Sequence, residues 1–234
     1  MAQAESFIEQ KLIEQLTSGI SQWTYRQDLN TEEKLWDNIR TKLNNANVSA
    51  LNGHEITDQE MERIKDFIKT QGESAYKAAI WLSGENGLVQ IPLKRDDVTQ
   101  DVVYLEALNQ KDIAGGHSTY EVINQCILFK TDKDGRDTRF DVTLLINGIP
   151  LIHIELKNQN HSYFEAFNQI KRYTGEGKFR GLFGLVQMFV ISNGTETKYF
   201  SAAPFDKLSD RFLFSWVDKN NNPVDNYLEF AKEV

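Results

Sequence analysis

The sequence is poor in residues that staple or interrupt a chain: it has one cysteine, Cys126, and four prolines in 234 residues. One cysteine cannot close an internal disulfide, so nothing requires an oxidising compartment. Long apolar runs are absent too. The longest, Gly181 to Ile191, is broken by Gln187 and falls well short of the ~20 residues that cross a bilayer. The opening segment, Met1 to Gln10, carries acids and no apolar run, unlike a secretory signal. Positive charge is in deficit: 26 Lys and Arg stand against 34 Asp and Glu, for a net −8. That balance argues against a free-standing nucleic-acid binder held by bulk charge. No linker rich in Pro, Gly or Ser divides the chain, and no repeat is visible. What remains is ordinary for a globular protein, with 40% hydrophobic and 26% charged residues. A chain of this length buries about 70% of its unfolded surface, enough for a core without staples. The expectation is a single soluble, cytoplasmic domain.

The first 83 residues read as helices. Phe7, Ile8, Leu12, Ile13 and Leu16 recur at helical spacing, and Gly19 ends the pattern. A second helix is expected from Asn30, with Glu33 completing a capping box and Leu35, Ile39 and Leu43 on one side. Thr57 and Glu60 repeat that signature ahead of Met61, Ile64, Phe67 and Ile68, and a shorter helix is expected near Ser74–Leu82. From Gly87 the period shifts toward two. Strands are expected near Val102–Leu105, Tyr120–Leu128, Arg139–Ile146, Leu151–Lys157, Leu185–Ser192 and Thr197–Ser201. One helix interrupts them, His161 to Thr174, capped by Ser162 with Glu165 at the third position. Asp132–Asp137 reads as a charged loop, Asn193-Gly194 as a turn, and Asn226–Val234 as a last helix. That helix ends without a cap, which suggests the front piece of a longer chain.

The most informative segment is Arg139-Phe-Asp-Val-Thr-Leu-Leu-Ile-Asn-Gly-Ile-Pro-Leu-Ile-His-Ile-Glu-Leu-Lys157. Two apolar strands flank Asn147-Gly148, a strong hairpin signal. In the second strand Ile152, Ile154 and Leu156 face one way while His153, Glu155 and Lys157 face the other. Register then decides whether Asp141 meets Glu155. A two-residue turn with no irregularity pairs Ile146 with Ile149 and leaves Asp141 opposite Ile154, on the wrong face. A three-residue loop or a bulge between Ile146 and Pro150 is therefore expected, because either unites the two carboxylates.

Two carboxylates and an ammonium on a buried face have a specific use. Like charges repel at close range unless a cation lies between them. Oxygen-only ligation with room for water suits Mg²⁺, which lowers the pKa of a bound water and stabilises charge on a phosphoryl oxygen. Lys157 would orient the attacking water or hold the developing charge. Such a site fits hydrolysis of a phosphodiester. The plain alternative is a same-face ion pair between Glu155 and Lys157, with Asp141 a turn residue.

The sequence at this point resembles the PD-(D/E)xK nucleases, and more closely one branch, the amino-terminal endonuclease domain of the restriction (R) subunit of type I restriction enzymes. The resemblance is carried by residues 140–157, by Glu-Ala-Phe-Asn-Gln-Ile-Lys-Arg-Tyr (165–173) and by Phe-Val-Ile-Ser-Asn-Gly-Thr (189–195), with a fainter match at Ile-Glu-Gln-Lys-Leu-Ile-Glu-Gln-Leu (8–16). Phe140 stands where the family name has proline. The resemblance implies an α/β fold: a mixed central sheet flanked by helices, with an amino-terminal helical elaboration over about 1–85, a nuclease core over about 86–205 and a tail from 206 leading toward motor domains. It implies that Asp141 and Glu155 ligate the metal, that the Leu156 main-chain carbonyl completes the shell, and that Lys157 is the catalytic lysine. Gln169 and Tyr173 match the Gln-x-x-x-Tyr motif of this branch and sit at i and i+4, on one helix face. Glu9 matches a family acid that approaches the metal, although a glutamate beside an apolar stripe also reads as a surface residue.

The implied partners are double-stranded DNA, the ATP-driven motor domains of the same subunit, and the modification and specificity subunits. No Walker A sequence is present, so ATP belongs to the full-length subunit alone. Lys171, Arg172, Lys178 and Arg180 are candidates for DNA phosphates against the default of a solvated face. Gly175-Glu-Gly-Lys178 lacks the spacing of a phosphate loop. His153 reads as hydrogen-bonded packing and Cys126 as buried. Two other readings stay open at this point: a repair or resolvase nuclease of the same superfamily, and a docking module with a decayed site.

Overall fold

A computed structural model describes residues 4–19, 23–97, 101–129 and 138–233. The charged loop expected at Asp132–Asp137 lies outside them. Four helices come early: α1 (Glu5–Leu16), α2 (Glu32–Ala46), α3 (Asp58–Gln71) and α4 (Ala75–Ser83), with a short strand, β1 (Trp23–Tyr25), between the first two. The capping box at Thr57 and Glu60 forms as expected. At α2 the cap shifts by one residue. Thr31, in extended conformation, accepts from the Lys34 amide, because the Asn30 carbonyl is occupied by the Ile127 amide and its side chain by the Lys34 ammonium. A ribbon follows, β2 (Leu88–Lys94) antiparallel to β3 (Val102–Asn109), then a short α5 (Gln110–Ala114). The sequence reading places no element at β1, β2 or α5; β1 and α5 have only three and five residues, and β2 is a seven-residue strand carrying Pro92.

The central sheet is mixed and six-stranded. Its remaining strands are β4 (Tyr120–Phe129), β5 (Thr138–Ile146), β6 (Ile149–Leu156), β7 (Met188–Ser192) and β8 (Thr197–Ser201), in the order β1-β4-β5-β6-β7-β8. β1 runs parallel to β4 and β6 parallel to β7, while the other neighbours are antiparallel. The crossover from β6 to β7 is α6 (Tyr163–Gly175), capped by Ser162. Its expected box is half formed: Ser162 accepts from the Phe164 amide, and Glu165 instead holds His161. Leu185 does not open a strand. Gly181–Leu185 forms a 3-10 turn, pressed so closely on α3 that a Cβ at Gly184 would meet the Gly72 carbonyl oxygen at 1.9 Å. A short apolar run does not distinguish strand from buried turn.

The two faces of the sheet are covered by different elements. One, carrying Val122, Val142, Leu144, Ile154, Leu156 and Val190, is closed by α1 and by the last helix, α7 (Tyr227–Glu233). Between β8 and α7 lies a small hairpin, β9 (Trp216–Val217) with β10 (Pro223–Val224). Ile8, Leu12 and Leu16 of α1 are buried, each contributing roughly 1.5–3 kcal/mol by its removal from water. Phe7, on the other side of α1, is exposed. The opposite face packs against α6, α2, α3, the β2–β3 ribbon and the 3-10 turn. α1 and the carboxyl-terminal segment thus form one layer on the sheet.

The β5–β6 hairpin departs from expectation in an instructive way. Its turn has two residues, Asn147 and Gly148, both at positive φ (50° and 81°), and pairs Ile146 with Ile149. Such a left-handed turn matches the twist of the strands. The irregularity comes after Pro150 rather than before it. Leu145 pairs with Pro150 but Leu144 with Ile152, so Leu151 is the extra residue of a bulge. Pro150 has no N–H to give to the ladder, and strand prolines are confined to such places. The shift restores Val142 opposite Ile154 and Thr143 opposite His153.

Gly148 is doubly constrained, since a Cβ there would also lie 3.1 Å from Ile39 Cγ1. Gly148→Ala is expected to cost about 1–2 kcal/mol and to lower Tm by roughly 2–8 °C. An unchanged Tm in scanning calorimetry would contradict the left-handed turn.

Candidate active site

Continuing the β5–β6 register by one step sets Asp141 opposite Glu155, on the face that carries Thr143 and His153. The ladder opens at this step. The Leu156 amide donates to Asp141 Oδ2 at 2.9 Å, a side-chain acceptor. Glu155 is wholly buried. Its Oε1 lies 3.4 Å from Lys157 Nζ and its Oε2 3.3 Å from His153 Nε2. Lys157 Nζ also donates to the Leu156 carbonyl at 3.1 Å, while its amide donates to Ser192 of β7. The hairpin thus brings Asp141, Glu155, Leu156 and Lys157 to one place.

Glu9 joins them from α1. It is buried, not a surface residue, and its carboxylate accepts from Asn124 Nδ2 and, at 2.7 Å, from Gln125 Nε2. The same Gln125 amide nitrogen lies 3.5 Å from Asp141 Oδ1. Gln125 has φ +49°, uncommon for a side chain of its size, and bridges the two acids. The sequence reading missed Gln125 and Thr143. Each is a polar residue within an apolar strand, which was the available signal.

Burial dominates the electrostatics. The Asp141 carboxyl is pushed up to about 7, first by burial and then by the neighbouring Glu155 charge, with the Leu156 amide and Lys157 opposing. Glu155 is likewise raised to about 7 by burial, with Lys157 opposing most strongly. Burial lowers His153 to about 4, against the pull of Asp141 and the Val142 carbonyl, so the ring is neutral near pH 7. The Cys126 thiol, buried as expected, is driven up to about 12.

α6 lays its motif over this face. Gln169 Nε2 donates to Tyr173 Oη at 3.2 Å. The Tyr173 ring packs near Phe140, and its hydroxyl is raised by burial and then by the Glu155 charge. The four candidate DNA-contacting cations divide. Lys178 is buried, 2.9 Å from Glu176 and 4.6 Å from the Tyr173 ring centroid; Lys171 donates to the Leu208 carbonyl. Arg172 and Arg180 are exposed, on the rim of an 810 Å³ groove floored by Phe179, Phe183 and Phe189.

The family model described as "Type I restriction enzyme R protein N terminus" matches residues 2–204. The chain belongs to this family. It is 37% identical over 231 residues to the type I restriction enzyme SauMSSORF170P endonuclease subunit of Staphylococcus aureus (strain MSSA476), covering 98% of this chain and 23% of that subunit. A Staphylococcus saprophyticus endonuclease subunit is 36% identical with the same coverage. The EcoprrI endonuclease subunit of Escherichia coli is 32% identical over 241 residues, 98% of this chain and 69% of its own length. The chain therefore spans 23% of the staphylococcal subunits it matches. Among the described residues no helix is long and apolar enough to cross a membrane.

In this member of the R-protein amino-terminal family the carboxylates have a pH signature. Both folded-state values lie above the ordinary 3.8 and 4.5. The folded chain therefore holds more protons than the unfolded one up to about pH 7, and stability is lost as pH rises through that value. His153 acts in the opposite sense between about pH 4 and 6.5. The clean window is thus about pH 6.5–8. Urea melts of the metal-free chain should give a falling midpoint across it, and Asp141→Asn should flatten the fall. A rising wild-type midpoint would contradict the burial of ionised carboxylates.

Proposed function

We propose that the chain is the Mg²⁺-dependent endonuclease part of a type I restriction enzyme, hydrolysing DNA phosphodiester bonds to make double-strand breaks. The observation that carries this reading is the union of Asp141 and Glu155 beside Lys157 by the bulge at Leu151. The donor chemistry suits Mg²⁺. The buried Glu155 carboxylate, the half-buried Asp141 carboxylate and the Leu156 carbonyl offer oxygen alone, and like charges so placed call for a cation. Among the described residues no three His, Cys, Asp or Glu side chains are grouped to hold a metal, so water and phosphate oxygens would fill the remaining positions, as Mg²⁺ prefers. Glu9, linked to Asp141 through Gln125, holds the latter in place and is a further, more distant acid.

When bound, Mg²⁺ supplies polarisation of a phosphoryl oxygen and a water of lowered pKa. Lys157 orients the attacking water or holds the charge developing on the phosphoryl group. Gln169 and Tyr173 fix the DNA backbone over the strand ends, and Arg172 and Arg180 are the exposed cations of the four that reach flanking phosphates. The excess of acid over base leaves the main grip on DNA to other parts of a larger assembly. Those parts are the ATP-driven motor domains of the subunit and the modification and specificity subunits, working in the cytoplasm.

In a reconstituted restriction complex, Asp141→Ala, Glu155→Ala and Lys157→Ala should each reduce plasmid cleavage by roughly a hundredfold or more. ATP hydrolysis and translocation should survive. Substantial cutting by all three variants would reject the assignment. With the chain alone, calorimetric Mg²⁺ affinity should rise with pH through about 7, because both carboxyls must lose their protons to bind. Affinity independent of pH would speak against these ligands.

A further inference from the structure

Behind Glu155 runs a polar line, Thr143 and His153, to which the proposed chemistry gives no role. Thr143, His153 and Glu155 are all buried. Thr143 Oγ1 lies 3.2 Å from His153 Nδ1, and His153 Nε2 lies 3.3 Å from Glu155 Oε2. The imidazole is caged by aromatic rings: Phe140 at 4.7 Å between centroids, Phe179 at 5.5 Å and Phe189 at 6.1 Å. This cage holds the ring so that its two nitrogens point along the line. An ionised carboxylate oxygen only accepts, so a neutral ring facing it must carry its proton on Nε2. Nδ1 is then an acceptor, and the Thr143 hydroxyl is the donor that suits it.

We propose that His153 is a positioning residue for Glu155. Its Nε2–H donates to Glu155 Oε2, its Nδ1 accepts from Thr143 Oγ1, and the relay leaves Glu155 Oε1, the oxygen beside Lys157, to the cation. The inference rests on the reading of Glu155 as a metal ligand. The physical gain is orientation: a carboxylate with one oxygen committed to a fixed donor has lost the rotation that would let it bind in several ways. The relay has one competitor, the Val142 carbonyl, which also faces the ring and would hold a proton placed on Nδ1.

Nitrogen-15 NMR of the wild-type chain at about pH 8.5, where Glu155 is ionised, separates the two arrangements without metal. The expected result is a protonated Nε2 and an unprotonated Nδ1. Calorimetry with Mg²⁺ supplies the second arm, on variants whose folding is checked by thermal melts. His153→Phe should weaken binding roughly 10–100-fold, His153→Gln, which keeps an amide donor, should stay within about threefold of wild type, and Thr143→Val should lie between them. Adding Thr143→Val to His153→Phe should cost nothing further, since the two act through one relay. A proton on Nδ1, or equal Mg²⁺ affinity in Phe, Gln and wild-type chains, overturns the proposal. A wild-type chain that shows the Nε2 proton yet binds no Mg²⁺ supports the relay and rejects the metal site instead.

Discussion

The site depends on one extra residue in one strand. Side chains in a β-strand alternate, so a slip of one position moves every group to the other side of the sheet. Leu151 supplies that slip between Pro150 and Ile152. Without it Asp141 would sit among the residues that pack on α1, and Glu155 would have no carboxylate opposite. The bulge has a local cause in the missing N–H of Pro150 and is held by tertiary contact, since the Leu151 carbonyl accepts from the Gln187 amide ahead of β7. The candidate site is thus set by a residue outside the group of Asp141, Glu155 and Lys157 that it brings together.

The neighbourhood is costly as an unliganded structure. A buried carboxyl, Glu155, faces a half-buried one, Asp141, an amide of the ladder turns to a side chain, and Gln125 adopts a backbone conformation that few residues of its kind tolerate. These departures, far apart in sequence, meet in space through Asp141, on the strand ends that α6 overhangs. Concentrated local conflict of this kind is the usual mark of a site shaped for chemistry rather than for stability. The surroundings compensate: the sheet is packed on both faces, and Phe140, Phe179, Phe183 and Phe189 close over the site from behind.

Much of this was legible from the residues. Asn147-Gly148 announced the hairpin, the alternation in Ile152–Lys157 placed Glu155 and Lys157 on one face, and the need to unite Asp141 with Glu155 called for an irregularity. Its location was misjudged because a bulge and a longer loop give the same parity, and only the pairing of Pro150 separates them. Glu9 was the larger surprise. In helix α1 it flanks the apolar stripe, which in isolation suits solvent; its burial follows from how closely α1 docks beside β4, and periodicity carries no information on that. Gln125 offered only its polarity as a signal; the left-handed backbone that aims it at the two acids leaves no pattern in the sequence. The four candidate cations divide for a reason that spacing also hides: Lys178 and Arg180 are two residues apart, yet Lys178 turns inward over the Tyr173 ring while Arg180 stays exposed.

The contact between α1 and α7 has a mechanical consequence. The two helices lie almost a full chain length apart in sequence yet share one layer on the sheet. Peeling away the later one strips support from Ile8 and Leu12 of the earlier one. Because Glu9 rides on that earlier helix and accepts from Gln125, whose amide also lies 3.5 Å from Asp141, an unbroken series of contacts joins α7 to the carboxylates.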